Sequence, residues 1–544
     1  MKRAAWTLAP LALLVALYWP GLNTYFYQDD FGWLNVARDM HGWRDLPRAL
    51  LAPKAHGVFR PLSVEGYFLL LGWLFGPNPL PFRIAAFAAV AGAVLLLGAL
   101  VRQWTGSHPA ALAAQATWIV NAGLAPVMCW TSIFNQALAA FLLLLALWFL
   151  VKERWRAQWI AFGLALLSLE SAVVYPALAL AYAPRLWRRL LPMFGVSAAY
   201  TALHFVLAPS GGGVYAIHLE TLPATLWRYS LMALGPGRAA AIAGAALLAV
   251  AVSASRRRYG LAWFLLTLAP YLPLRDHVSD YYLAAPVLGL AMLAGEAVKH
   301  APRFALAPLL VCLAASLPTA RGIAGWHYAR SQAIRDVVLG AAEARRLEPR
   351  APILLAGMTS EVFQSGFADL PFRALGIERV YLAPGEERRL EPRELSGKFV
   401  LPPAIALRER AVVYDASGPV LRNVTARHAM QWKPEPVRFV NAGDPLFEPC
   451  LTGNWLPVRN GYRAMRGAAG IRMAAPESGE RLYLGVMADK PALRVRVAGA
   501  ELTPAFSHPY PGRTDLAFTV SARGEIELAL ETAGELTFGF AEVR

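Results

Sequence analysis

Long apolar runs recur along the first 320 residues of the 544-residue chain. A helix needs about 20 mostly apolar residues to cross a hydrocarbon layer of about 30 Å. The runs predict about eleven transmembrane helices, near residues 4–20, 83–101, 109–128, 134–151, 157–170, 171–184, 190–208, 239–254, 259–274, 281–298 and 303–320. The two runs around Glu170 are also compatible with one long helix. The pattern therefore predicts a polytopic α-helical membrane domain over 1–320.

After Arg321 the pattern becomes that of a water-soluble fold. Residues 328–347 have helical periodicity, and the short apolar runs at 352–356, 379–382 and 411–415 indicate a small α/β layer within 321–440. Within 441–544, polar and apolar residues alternate in five further segments, at 481–486, 493–497, 516–520, 526–530 and 536–540. This alternation predicts a β-sandwich. Such a module resembles carbohydrate-binding jelly rolls, although a scaffold without a ligand has the same pattern.

Composition agrees with this division into a membrane part and a water-soluble part. The chain is 57% hydrophobic and only 16% charged, and just 11 of its 36 Asp and Glu residues precede residue 321. The three cysteines are scattered, which argues against a disulfide framework or a cysteine-based metal cluster. The net charge of +16 needs no nucleic-acid partner, because basic loops orient membrane proteins.

Basic clusters at 2–3, 152–156, 185–189, 256–258 and 299–303 fall on one side if the spans alternate, and that side is expected to be cytoplasmic. Most of the carboxylates before residue 321 then face the other side. With an odd number of spans, the C-terminal region also lies there. The first apolar run lacks a small-residue cleavage site and is expected to stay as an anchor. The sequence thus predicts a multi-pass protein of a bacterial inner membrane with a periplasmic C-terminal domain.

The first outer loop, residues 21–82, carries the adjacent carboxylates Asp29 and Asp30 among aromatic residues. Burial and proximity push the pKa values of such a pair apart, so one of them could serve as a base near neutral pH. The alternative is that the pair caps a helix running through Leu34 to Met40.

Four further side chains could bind a phosphate group: His56 and Arg60 in the same loop, and Arg275 and His277 before a late helix. The alternatives are a solvated turn before Pro61 and a pair of interfacial residues. Glu170, isolated in apolar sequence, is expected either to line a polar cavity or to pair with an arginine.

Several segments in this order resemble one family. The acidic pair follows the first span, and Arg60-Pro-Leu-Ser63, Trp130–Leu138, Leu167–Pro176 and His277–Pro286 come later along the chain. Together they resemble the GT-C superfamily of integral-membrane glycosyltransferases, especially its protein O-mannosyltransferase-like and TMTC-like branches. Two departures are that Phe134–Gln136 lacks a charged pair and that Leu169 stands where a lysine is common.

The resemblance implies transfer of a sugar, with inversion, from a polyprenyl-phosphate-linked donor to a protein, lipid or glycan acceptor at the outer face. It implies that Asp29 or Asp30 is the general base, with Asp29 preferred, and that cationic side chains stabilise the departing phosphate: His56, Arg60, Arg275 and His277. Glu170 would line the cavity. Membrane lipids are expected partners. No cofactor is expected, and a divalent metal is left open because carboxylates face the outer side without a His or Cys cluster.

Two other classes compete with the enzyme. A lipid or polysaccharide transporter should have charged or broken helices along a path through both leaflets, whereas few carboxylates lie on the inner half. A non-catalytic glycolipid-binding or cell-envelope assembly protein should tolerate loss of the acidic pair.

Overall fold

The computed structural model describes residues 2–38, 40, 42–51, 59–207, 216–254, 258–433, 435–459, 461–510 and 512–544. His56 lies outside these ranges. The chain forms two compact units, Met1–Arg335 and Asp336–Arg544.

The first unit is helical. Its described α-helices are Lys2–Leu22, Asp29–Arg38, Leu46–Leu51, Gly66–Phe75, Pro79–Thr105, His108–Ile119, Leu124–Cys129, Phe134–Val151, Trp155–Leu166, Tyr175–Tyr182, Trp187–Leu207, Leu222–Leu234, Gly237–Ala254, Tyr259–Leu268 and Pro286–His300, followed by the helix Pro302–Leu347. Every predicted span coincides with at least one of them.

Four of the described helical segments are long and apolar enough to cross a membrane: Pro79–Thr105, Thr131–Val151, Gly237–Ala254 and Pro302–Leu347. Trp6–Leu22 and Pro61–Phe75 are shorter apolar helices. The total of about eleven spans and their orientation stay predictions.

The two predicted spans around Glu170 are two helices and not the alternative single one, because a 3-10 turn, Glu170–Val174, separates Trp155–Leu166 from Tyr175–Tyr182. One predicted boundary differs from the structure: the predicted span 303–320 and the predicted helix 328–347 are one continuous helix, Pro302–Leu347. Polar residues after Arg321 end the apolar run without breaking the helical backbone.

Buried aromatic rings fix the loop 21–82 to the helices around it. Tyr67 stacks on Phe134 with 4.0 Å between ring centroids, and Phe82 lies edge-on to both Phe26 and Tyr67 at 5.2 Å. Such aromatic pairs contribute about 0.5–1.5 kcal/mol each beyond the area they bury. This packing holds the start of the helix Asp29–Arg38 in a defined place.

In the second unit, a four-stranded sheet lies within 321–440, where we predicted a small α/β layer. The strands Ile353–Ala356, Val380–Leu382 and Val412–Asp415 are parallel, and the first lies between the other two; Arg422–Asn423 pairs antiparallel with the third. Short helices accompany them at Ser360–Ser365, Pro371–Ala374, Arg393–Ser396, Pro403–Arg408 and Thr425–Ala429.

The remaining strands form one nine-stranded antiparallel sheet where we predicted a β-sandwich. They are Phe439–Asn441, Leu451–Trp455, Arg463–Ala474, Leu482–Val486, Arg494–Val497, Ala500–Leu502, Phe506–Tyr510, Arg513–Phe518 and Glu525–Val543. The last strand pairs with four others and so joins them into one sheet. Residues of the α/β layer and of this sheet share a hydrophobic core, for example Leu354 and Ile471.

Candidate active site

The acidic pair begins the helix Asp29–Arg38 of the first unit. Gln28, just before the pair, has a φ of 52°, an uncommon left-handed conformation for a residue other than glycine. This turn sends the two carboxylates to different environments. Asp29 is exposed, whereas Asp30 is completely buried.

The Asp30 carboxylate accepts three hydrogen bonds. One oxygen accepts from Ser132 N at 2.7 Å and from Ser132 Oγ at 2.5 Å, and the other accepts from Tyr27 N at 3.1 Å. The bond from Tyr27 N comes from a residue before the helix Asp29–Arg38, so it is not the bond to a first-turn N–H that a capping carboxylate accepts. The bonds from Ser132 tie the start of the helix to the 3-10 turn Thr131–Ile133.

Burial raises the pKa of Asp30 from 3.8 to about 6, against opposing effects of Arg83 and of the hydrogen bonds from Ser132 and Tyr27. Arg83 is fully buried as well. Its Nε and both Nη atoms make no hydrogen bond with the residues that the structure describes. Its positive charge therefore favours an ionised Asp30 without a direct bond to it.

A cavity of about 440 Å³ lies beside this turn. Its lining is Gln28, Pro126, Trp130, Asp280, Tyr281, Gly322, Ile323, Trp326, His327 and Arg330. Tyr27 stacks on Trp130 at 5.7 Å, and the Tyr27 hydroxyl lies 2.6 Å from His327 Nδ1. The Arg330 guanidinium lies 4.7 Å from the centre of the Trp326 ring. The cavity thus combines aromatic walls with a cation, as a site for a sugar and a phosphate would.

Arg60 and Glu170 meet, as the arginine-partner alternative for Glu170 predicted. Arg60 Nε lies 2.9 Å from both Glu170 carboxylate oxygens, and both side chains are about one-fifth exposed. Burial disfavours the charged guanidinium, but the Glu170 charge and hydrogen bond outweigh it and the pKa of Arg60 is raised. The Tyr281 hydroxyl lies within electrostatic range of both Arg60 and Asp29. Arg60 is not part of the cavity lining and acts on Tyr281 through its charge.

His277 and Arg275, the two candidates before the late helix, lie in different environments. His277 Nε2 lies 3.1 Å from the hydroxyl of Tyr281, so His277 supports the cavity wall. Arg275 is about half exposed and pairs with Asp276 at 3.1 Å. Asp276 in turn lies 3.3 Å from His218. Arg275 thus belongs to an exposed charge cluster, and the structure does not bring it to the cavity lining.

Sequence reasoning missed Ser132, Arg83, His327 and Arg330. Ser132 lies within the segment 130–138 that resembles a GT-C loop, but nothing in the sequence paired it with Asp30. His327 and Arg330 follow residue 320, where we placed the end of the membrane domain, and so were not considered. Among the described residues, no group of three or more His, Cys, Asp or Glu side chains is placed to hold a metal ion.

No family model and no curated protein matches the chain. It is similar to solved structures of ArnT from Cupriavidus metallidurans, in the apo state (13% identity, 76% of this chain, 93% of that chain, TM-score 0.48) and bound to undecaprenyl phosphate (15%, 76%, 93%, TM-score 0.39). It is also similar to the arabinosyltransferase EmbB from Mycobacterium smegmatis (12%, 99% of this chain, 64% of that chain, TM-score 0.25). Since every TM-score is below 0.5, we assign neither family nor function from these likenesses.

Proposed function

We propose that the chain is an integral-membrane glycosyltransferase that moves a sugar from a polyprenyl-phosphate-linked donor to an acceptor at the outer face of the membrane. The observation that carries this proposal is the arrangement of the acidic pair. One carboxylate is exposed next to Gln28, which lines an aromatic and cationic cavity, and the other is buried in a network that holds the first in place. The resemblance of the surrounding segments to GT-C enzymes supplies the reaction class.

Asp29 is the general base in this proposal. A base must reach the proton it removes, at about 2.6–3.2 Å between heavy atoms. Asp29 is exposed and directly follows Gln28 of the cavity lining, whereas Asp30 is buried and its carboxylate accepts three hydrogen bonds from the protein. Asp30 is therefore a positioning residue that fixes the turn carrying Asp29.

The proposed transfer is a single displacement at the anomeric carbon of the sugar. The Asp29 carboxylate takes the proton of an acceptor hydroxyl as the oxygen attacks the anomeric carbon from the side opposite the phosphate. The bond between the anomeric carbon and the phosphate oxygen breaks, and its electron pair leaves with the phosphate. The product glycoside has inverted configuration, and the polyprenyl phosphate returns to the membrane.

Arg330 is the first candidate to stabilise the departing phosphate, because its guanidinium lines the cavity and stacks on Trp326. A planar guanidinium can donate two parallel hydrogen bonds to phosphate oxygens. Arg60 is the second: it does not line the cavity, but its charge acts on Tyr281 and Glu170 orients its guanidinium. His277 positions the Tyr281 hydroxyl, and Arg275 has no role in this proposal.

The test is transfer in membrane vesicles that contain the full chain. Radiolabelled sugars on undecaprenyl phosphate are supplied one at a time, and label in a lipid-extracted acceptor fraction is counted. Asp29→Asn should reduce the rate by about 10²–10⁴-fold, because Asn cannot accept the proton. Asp45→Asn, which changes another exposed acid of the same loop, is the matched control and should leave the rate unchanged.

A rate in Asp29→Asn equal to that of Asp45→Asn would contradict the catalytic role of Asp29. If the wild-type chain transferred no sugar from any of the donors but still bound undecaprenyl phosphate, the chain would be a non-catalytic glycolipid-binding protein instead.

A further inference from the structure

A second cavity, of about 1030 Å³, lies entirely within the unit Asp336–Arg544. It opens at the carboxyl ends of two parallel strands, since Ala356 and Asp415, the last residues of those strands, line it. The chain passes from the central strand Ile353–Ala356 to one neighbour and then crosses to the other. Ligands of open α/β sheets bind at such a reversal of strand order, outside the carboxyl ends.

The backbone keeps this crevice open. Gly357 follows the central strand with a φ of +77°, and a Cβ at this position would collide with Asp415 Oδ1. Its N–H donates to Glu386 Oε2 at 2.9 Å, and the Glu386 side chain is buried. A side chain at residue 357 would strain the turn and fill the space between the two strand ends.

The cavity wall carries an excess of positive charge. Seven Lys and Arg side chains line it against five Asp and Glu side chains. Arg427 and Lys433 are exposed and make no ion pair with the described part of the chain. Arg389 is about two-thirds exposed and lies 3.7 Å from Glu386, so it can also turn toward a ligand. These cations favour an anionic group.

Other parts of the wall favour a sugar ring. Trp432 and Phe439 line the cavity, and both pack partly against the hydrophobic core, which fixes their rings. Aromatic faces bind the apolar face of a sugar, and carboxylates such as Glu387 and Asp415 accept hydrogen bonds from hydroxyl groups. The volume of about 1030 Å³ is slightly above the usual range of about 300–1,000 Å³ for ligand sites.

We propose that this cavity binds a saccharide that carries an acidic group, a phosphate or a carboxylate. Arg427 and Lys433 hold the acidic group, and the ring packs on Trp432. The site is separate from the residues assigned to sugar transfer, so its ligand binding does not depend on the proposed transferase activity.

Isothermal titration calorimetry on the full chain in detergent tests this with four probes: glucose 1-phosphate, glucuronic acid, glucose and inorganic phosphate. At least one acidic sugar should bind about tenfold more tightly than glucose and than phosphate, because only it satisfies both parts of the wall. Equal affinity for all probes, binding of phosphate or glucose as tight as that of the acidic sugars, or no binding at all would overturn the proposal.

Variants locate the binding. The double variant Arg427→Gln, Lys433→Gln should weaken the acidic sugar about tenfold and leave weak glucose binding unchanged. Trp432→Leu should weaken both sugars. Arg472→Gln, which removes an exposed arginine of the nine-stranded sheet outside the cavity, is the control and should bind as the wild type does. Equal losses in the control and the double variant would also overturn the proposal.

Discussion

The hydrogen bond from Ser132 Oγ to Asp30 gives a direct test of the network at the candidate active site. This hydrogen bond is 2.5 Å long and buried. Its acceptor is the Asp30 carboxylate, whose ionised form is stabilised by the positive charge of Arg83. Hydrogen bonds to charged groups contribute about 1.5–3 kcal/mol to stability. Ser132→Ala removes this bond and leaves the one from Ser132 N in place. We therefore expect the first unit to lose about 1.5–3 kcal/mol of its free energy of unfolding.

The chain offers a matched control in Ser197. This serine is also buried, but its Oγ makes no hydrogen bond with the described residues. Ser197→Ala removes the same atom from a buried position without losing a bond, so its stability should change little or rise slightly. Thermal unfolding of both variants in detergent, followed through tryptophan fluorescence, measures the difference. Equal midpoints for Ser132→Ala and Ser197→Ala would refute the proposed strength of the network.

Three further predictions follow from the same residues. Asp30 lies in the loop outside the predicted spans, and burial raises its pKa from 3.8 to about 6. Its contribution to the free energy of unfolding is therefore fully present below pH 3.8 and is lost as the pH rises through 6, a decrease of about 3 kcal/mol. The free energy of unfolding, measured from pH 3.5 to 7, should fall in this way in the wild type and not in Asp30→Asn, and parallel curves would contradict the prediction. Arg60→Lys keeps the charge but loses the Nε–H donor to the Glu170 oxygens and the planar guanidinium, so the KM for the lipid-linked donor should rise about tenfold with little change in the unfolding midpoint; an unchanged KM would remove Arg60 from the phosphate site. Reporter fusions after Arg258 and after Arg350 should report the cytoplasm and the outer compartment, respectively, and a cytoplasmic signal from both would contradict the predicted orientation.

The sequence predicted local structure better than long-range pairing. Apolar runs located the helices Pro79–Thr105 and Phe134–Val151 to within a few residues, because helical length and hydropathy are local properties. The segments 526–530 and 536–540 were predicted as two separate segments of alternating polar and apolar residues. They belong to one strand, Glu525–Val543, in which a register shift between Glu531 and Glu535 accommodates the extra residues.

At the candidate site, too, residue types were predictable from the sequence, whereas contacts between distant residues were not. Asp29, Asp30 and Arg60 were recognisable as candidates from residue type, and pairing of Glu170 with an arginine, though not with Arg60 by name, was one of the stated alternatives. The partnership of Asp30 with Ser132 joins residues 102 positions apart, and that of Tyr27 with His327 joins residues 300 apart. Periodicity carries no information on such contacts. They depend on how the helices pack, which only the three-dimensional structure provides.

The most direct test of the central proposal is a structure of the full chain in lipid nanodiscs with undecaprenyl phosphate. The proposal predicts phosphate density in the cavity lined by Trp130, Tyr281 and Arg330, with a phosphate oxygen within hydrogen-bond distance of the Arg330 guanidinium and the exposed Asp29 carboxylate facing the same space. A phosphate bound away from these residues, with the cavity empty, would contradict the assignment of this cavity as the site of sugar transfer.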